Sequence, residues 1–90
     1  MATVRIPTQL RTLSGGAAEV DVEGSTVGEV LKALDAAHPG FAERLFDAGG
    51  SLRRFVNVFV ADEDVRFADG LDTKVEARQT VSIIPAVAGG

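Results

Sequence analysis

Hydrophobic and polar positions alternate with a period of two in several short runs. Val4 and Ile6 are separated by polar residues and stopped by Pro7, a half-buried first strand. Val20 and Val22 alternate with Glu19, Asp21 and Glu23, a second strand with a charged outer face. Ser14-Gly15-Gly16 lies between them as a turn, so the two strands form a hairpin. The strongest strand signal is 55–60, with Val56, Val58 and Val60 on one face and Phe55, Asn57 and Phe59 on the other. Ala61-Asp62-Glu63-Asp64 reads as a turn and Val65-Arg66-Phe67 as a short return strand. A last strand covers 80–84, with Val81 and Ile83 facing one way and Ser82 and Ile84 the other. Pro85 has no N–H to donate, so pairing should end there.

Between the second and third strands the period changes to 3.6. Val27, Val30, Leu31, Leu34 and Ala37 form an apolar stripe, opposed by Glu29, Lys32 and Asp35. Thr26 and Glu29 have the spacing of a capping box, and Pro39-Gly40 stops the helix near His38. Phe41, Leu45 and Phe46 predict a short second helical turn, and 47–51 a loop. The order is β-β-α-(short α)-β-β-β. One long helix must cover the buried face of a mixed sheet. The first and last strands, which alternate most strongly, suit central positions.

Ninety residues make one domain with one modest core and little room for an enclosed active site. The net charge of -4 and the absence of any basic run longer than Arg53-Arg54 leave nucleic-acid binding without support. A mildly acidic surface favours partners with basic faces. No cysteine is present, which removes disulfides, thiolate catalysis and Cys-based metal sites and fits a reducing cytoplasm. The N-terminal segment lacks the pattern of a signal peptide, and no apolar run approaches the ~20 residues of a membrane span.

The chain finishes Ile83-Ile84-Pro85-Ala86-Val87-Ala88-Gly89-Gly90. Gly15-Gly16 and Gly49-Gly50 sit between apolar runs, whereas Gly89-Gly90 connects nothing in this sequence. Gly-Gly after a strand and a proline, on this element order, resembles the ubiquitin-like β-grasp sulfur carriers of the ThiS/MoaD superfamily. The likeness runs over nearly the whole chain. It is strongest to CysO-type carriers in Arg54-Phe55-Val56-Asn57-Val58-Phe59-Val60, Asp62-Glu63-Asp64-Val65-Arg66-Phe67 and the final hexapeptide. The resemblance implies an α+β fold of about five strands under one main helix. It divides the chain into a β-grasp domain at 1–85 and a flexible tail at 86–90. One departure is local: the Asp-Gly-Asp-like turn usual before the last strand reads Ala77-Arg78-Gln79, so the turn should differ and avoid a positive φ at Arg78.

The chemistry of such a tail can be argued from the residues. A carboxylate is a poor electrophile; acyl-adenylation at Gly90 supplies a leaving group, and sulfur attack then yields a terminal thiocarboxylate. Gly89 and Gly90 carry no side chain to block entry into a narrow enzyme pocket. The resemblance implies a cosubstrate rather than an enzyme. Its first partner is an ATP-using, E1-like adenylating and sulfurating enzyme. For CysO-type carriers the acceptor is a pyridoxal-phosphate cysteine synthase working on O-phosphoserine. A JAMM-type zinc peptidase then releases the cysteine. No cofactor is expected on the chain itself, and its place is the cytoplasm. Val87 and Ala88, with Ile84 and Phe59 on the face opposite the valines, are the candidate docking residues. Ile84 holds the place just before the proline that meets the enzyme in MoaD-like relatives.

Other readings stand beside this one. Gly89-Gly90 taken alone is an ordinary frayed terminus. Asp62-Glu63-Asp64 lacks EF-hand spacing and reads as a solvated acidic turn. His38, the one histidine, reads as a helix cap rather than a catalyst, and Asn57 as a hydrogen-bonding strand residue. The same tail would serve a MoaD- or ThiS-like carrier for molybdopterin, thiamin or RNA thiolation. It would also serve a ubiquitin-like modifier joined to lysines, for which only Lys32 and Lys74 are available for chain building. A pure interaction domain would be indifferent to loss of Gly89-Gly90.

Overall fold

A computed structural model describes residues 1–53 and 56–85. Five strands form one mixed sheet: β1 (Ala2–Arg5), β2 (Glu19–Val22), β3 (Val56–Val60), β4 (Glu63–Asp64) and β5 (Thr80–Pro85). Two helices, α1 (Val27–Ala37) and α2 (Phe41–Leu45), lie between β2 and β3. The sheet order is β2-β1-β5-β3-β4, so β5 takes the centre, parallel to β1 and antiparallel to β3. This is the β-grasp arrangement, with one main helix over a five-stranded sheet.

The strand alternation translates directly into burial. Val4, Val22, Val56, Val58, Val60, Val81 and Ile83 all turn to the helix side and are buried. Helix α1 meets them with Val27, Val30, Leu31 and Leu34, each fully buried. Each such side chain contributes roughly 1.5–3 kcal/mol. Ala37, expected in this stripe, is exposed: it is the last helical residue, one turn beyond the contacts made by Leu34. Phe41 and Leu45 from α2, Val65 and Val75 from the long connection, and Ala2, Ile6 and Leu10 near the N-terminus complete the core.

Local chemistry sets the ends of α1. The Glu29 N–H donates to Thr26 Oγ1 at 3.2 Å, and Glu29 Oε1 accepts from the Ser25 N–H at 2.9 Å. This is the capping box, with the glutamate reaching one residue further back than the usual pattern. At the other end His38 is the C-cap, its N–H bonded to the Leu34 carbonyl. Asp35 Oδ1 then accepts from the N–H groups of Gly40 (3.2 Å) and Ala42 (2.9 Å), which ties the start of α2 to α1. No helix among the described residues is long and apolar enough to cross a membrane.

Two expectations about the second half fail. Val65–Phe67 is a 3-10 turn, not a strand, and the return strand is Glu63–Asp64. The hairpin loop is only Ala61-Asp62, both at positive φ (51° and 70°), with Val60 paired to Glu63. That two-residue loop brings the chain back at once. Asp64 then ends the ladder by accepting the Arg66 N–H on its side chain at 2.8 Å, an Asx cap that starts the 3-10 turn. The second failure is Arg78, which does take a positive φ of 71°. The Gln79 N–H reaches the Glu76 carbonyl, so Arg78 holds the third position of a four-residue turn, where glycine usually sits. Its N–H bonds to the Met1 carbonyl at 2.9 Å, which holds the turn against the start of β1.

Candidate functional site

The tail residues Val87, Ala88, Gly89 and Gly90 lie outside the described residues, as do Arg54 and Phe55, the latter expected on the open face. What the structure defines is the root from which the tail leaves. Strand β5 runs through the middle of the sheet and pairs with β3 to its last residue, with Ile84 opposite Asn57 and Pro85 opposite Val56. The tail therefore follows directly on the central strand of the sheet.

Ile84 and Phe59 share the face turned away from α1. Ile84 is 48% exposed, and Phe59 is half-buried. Ile84 pairs with Asn57, and Phe59 pairs with Ser82, so the two apolar residues are diagonal neighbours. Side chains of their size reach each other at that spacing. The structure thus brings together the two docking candidates that it describes. Around them the open face is polar: Thr3, Arg5 and Ser82 on the inner strands, Glu19 and Asp21 on β2, and Asp64 on β4. Thr3 Oγ1 donates to Asp21 Oδ1 at 2.7 Å across the β1–β2 ladder. On the β1 side of Ile84 a shallow groove of about 490 Å³ is lined by residues including Arg5, Pro7, Thr8, Arg11 and Ser82. The arrangement is an apolar centre with a charged rim at the point where the tail begins, which suits protein docking.

Two residues beside this face, Arg66 and Phe67, escaped sequence reasoning. The Arg66 guanidinium donates from Nη1 to Asn57 Oδ1 at 2.9 Å and from Nη2 to the carbonyls of Arg53 and Val56, each at 2.8 Å. Asn57 is thus a hydrogen-bonding strand residue, and its partner is an arginine nine residues away. Phe67 is 86% exposed, far more than a phenylalanine at a strand position beside a core would be. The signal that could have found both is Asp64 before Val65-Arg66, a capping residue that turns the chain out of the ladder.

The remaining candidates have structural places. Asp62 sits at positive φ in the hairpin loop, Glu63 is exposed on β4, and Asp64 caps the 3-10 turn. Among the described residues no group of His, Cys, Asp or Glu is arranged to hold a metal ion. His38 caps the C-terminus of α1 through its backbone N–H.

Comparison with known proteins agrees with this geometry. Residues 4–90 match the ThiS family. The chain is 50% identical to the sulfur carrier protein CysO of Mycobacterium tuberculosis, covering 98% of this chain and 97% of that protein. It superimposes on one chain of the Amycolatopsis orientalis BexX/CysO complex with a TM-score of 0.94 at 47% identity, covering 100% of this chain and 100% of that one. Similarity at 38% identity extends to small archaeal modifier protein 3 of Haloferax volcanii, covering 76% of this chain and 73% of that protein. Fold, length and sequence point one way, and the chain belongs to the ThiS family.

Proposed function

We propose that this protein is a sulfur carrier of the CysO type, serving cysteine biosynthesis through its C-terminal Gly90. The observation that carries the reading is the 50% identity to CysO over 98% of the chain. The exposed Ile84 at the root of the tail supports it, since a carrier needs a docking surface where its terminus enters an enzyme.

The chemistry runs in two steps. The Gly90 carboxylate attacks the α-phosphorus of ATP on an E1-like enzyme, forming an acyl-adenylate and releasing pyrophosphate. A sulfide-equivalent nucleophile then forms a C–S bond as the C–O bond to AMP breaks, leaving a terminal thiocarboxylate. The carrier contributes no acid or base. It contributes a terminus without side chains, through Gly89 and Gly90, and docking residues: Ile84 and Phe59 on the open face, and Val87 and Ala88 in the tail sequence. A pyridoxal-phosphate synthase would accept the sulfur on O-phosphoserine, and a zinc peptidase of the JAMM type would release the cysteine. ATP, pyridoxal phosphate and zinc all belong to the partners.

The pathway test uses the thiocarboxylated protein with O-phosphoserine and the synthase. Appearance of a cysteine adduct at Gly90 supports the reading; a thiocarboxylate that stays intact under those conditions redirects it to molybdopterin, thiamin or RNA thiolation. The similarity to small archaeal modifier protein 3 favours a second reading, conjugation of Gly90 to lysines. Isopeptide-linked products in the native host would mark that use.

A further inference from the structure

Phe67 combines near-complete exposure with a rigid mounting. The preceding residue in the core, Val65, is fully buried. The Arg66 N–H is held by Asp64 Oδ1 at 2.8 Å, and the Arg66 side chain reaches Asn57 Oδ1 at 2.9 Å and the carbonyls of Arg53 and Val56 at 2.8 Å. The ring is therefore presented by a turn pinned on both sides rather than by a loose loop. An aromatic held this way loses little conformational entropy when a partner covers it.

Its position follows from the register. Strand β4 runs antiparallel to β3, with Val60 opposite Glu63 and Phe59 opposite Asp64. Past Asp64 the chain leaves the ladder in the 3-10 turn, and from there the Arg66 side chain reaches back to Asn57. On its other side β3 pairs Asn57 with Ile84 and Val56 with Pro85. Phe67 thus sits in a turn tied to β3, the strand that pairs with the tail root. The segment that carries it is acidic: residues 62–72 hold Asp62, Glu63, Asp64, Asp69 and Asp72 against Arg66, with Arg53 and Lys74 at its borders.

We infer that Phe67 is a second docking anchor, and that the E1-like enzyme which receives the C-terminus holds it in an apolar pocket rimmed by Lys and Arg. The inference rests on the carrier reading for the identity of the partner. That enzyme is chosen because every version of the tail chemistry begins with adenylation. A contact on an element other than β5 fixes the rotation of the carrier about its own tail, which Ile84 alone cannot do. The acidic flank supplies the charge that a basic rim would match.

The test uses the full-length protein and the E1-like enzyme of the same organism, with affinity by titration calorimetry and conversion by intact mass. Phe67→Ala should weaken binding about 10-fold or more with an unchanged Tm, and KM should rise with it, the change falling on KM rather than kcat. Phe67→Leu, which keeps an apolar side chain, should recover most of the loss. Raising salt should weaken the wild-type complex, and Asp69→Asn should flatten that dependence. Binding of Phe67→Ala within about twofold of wild type would overturn the inference, as would sedimentation showing that the variant instead dissolves a dimer of this chain. The two readings fail separately. A wild-type protein that binds but gains no sulfur contradicts the carrier function, whereas one converted normally with Phe67→Ala unaffected contradicts only the anchor.

Discussion

Arg66 Nη1 lies 2.9 Å from Asn57 Oδ1, and Asn57 is the residue paired with Ile84 at the root of the tail. A side chain from the long connection therefore braces the strand that holds the last residues of β5. Arg66→Ala should cost about 1–2 kcal/mol, because the carbonyls of Arg53 and Val56 also lose a charged donor. Asn57→Ala should cost about 1 kcal/mol, and the double variant less than the sum, since the two share one interaction. Denaturant melts of the four proteins measure this. Additive losses would show that the pair is not coupled.

Ile84 is the exposed apolar residue next to the proline, and it makes no contribution to the buried core. Ile84→Thr keeps a β-branched side chain on β5, so the fold should hold with a change in stability within ~0.5 kcal/mol. Affinity for the adenylating enzyme should fall about 10-fold. Calorimetric binding beside a thermal melt separates the two effects. Unaltered affinity would remove Ile84 from the docking surface.

Gly24 approaches the start of α1 closely. A Cβ built there would stand 2.7 Å from the Val30 nitrogen and 2.8 Å from Val30 Cγ2. The first is backbone and cannot rotate away. Gly24→Ala should therefore destabilise by about 1–3 kcal/mol, a loss of several degrees in Tm for a domain of this size. A melting temperature equal to wild type would show that the β2–α1 connection shifts freely.

Among the described residues three non-glycines, Ala61, Asp62 and Arg78, hold a positive φ, and substitution by glycine tests the last two. Asp62 at φ 70° is the second loop residue of the β3–β4 hairpin, and Arg78 at φ 71° the third residue of the turn before β5. Both positions favour glycine in two-residue hairpin loops and in turns with a positive φ. Asp62→Gly and Arg78→Gly should each stabilise by about 0.5–1 kcal/mol after the added freedom of the unfolded chain is counted. Thermal unfolding checks the sign. A lower Tm for Arg78→Gly would mean that its side chain contributes more than its backbone costs.

The fold was legible wherever one face had to be buried. Val56, Val58 and Val60 alternate with Asn57 and Phe59, and a one-residue slip would have exposed all three valines. Val81 and Ile83 against Ser82 and Ile84 made β5 readable in the same way, including the exposed Ile84. Helix α1 was readable from Val27 to Leu34 and from its Thr26 cap. The reading broke down where a short polar interaction overrode the pattern. Val65-Arg66-Phe67 alternates like a strand, but Asp64 captures the Arg66 N–H and turns the chain, which buries Val65 and strands Phe67 in solvent. Arg66 could not be placed from local sequence, because its partners at 53, 56 and 57 are reached only through the hairpin. Arg78 shows that a positive φ can be imposed from outside. The bond to Met1 and the reversal into β5 fix it, although nothing in arginine favours it. For the site, the tail root and its two apolar neighbours followed from alternation, whereas the pinned turn beside them did not.

The most direct test of the carrier function is intact mass spectrometry after incubation with an E1-like enzyme, ATP and a sulfide donor. We expect a mass gain equal to replacing one oxygen by sulfur, localised to Gly90 and absent when Gly90 is deleted. An unchanged mass in the presence of an enzyme shown to be active, or a gain that survives the deletion, would contradict the account.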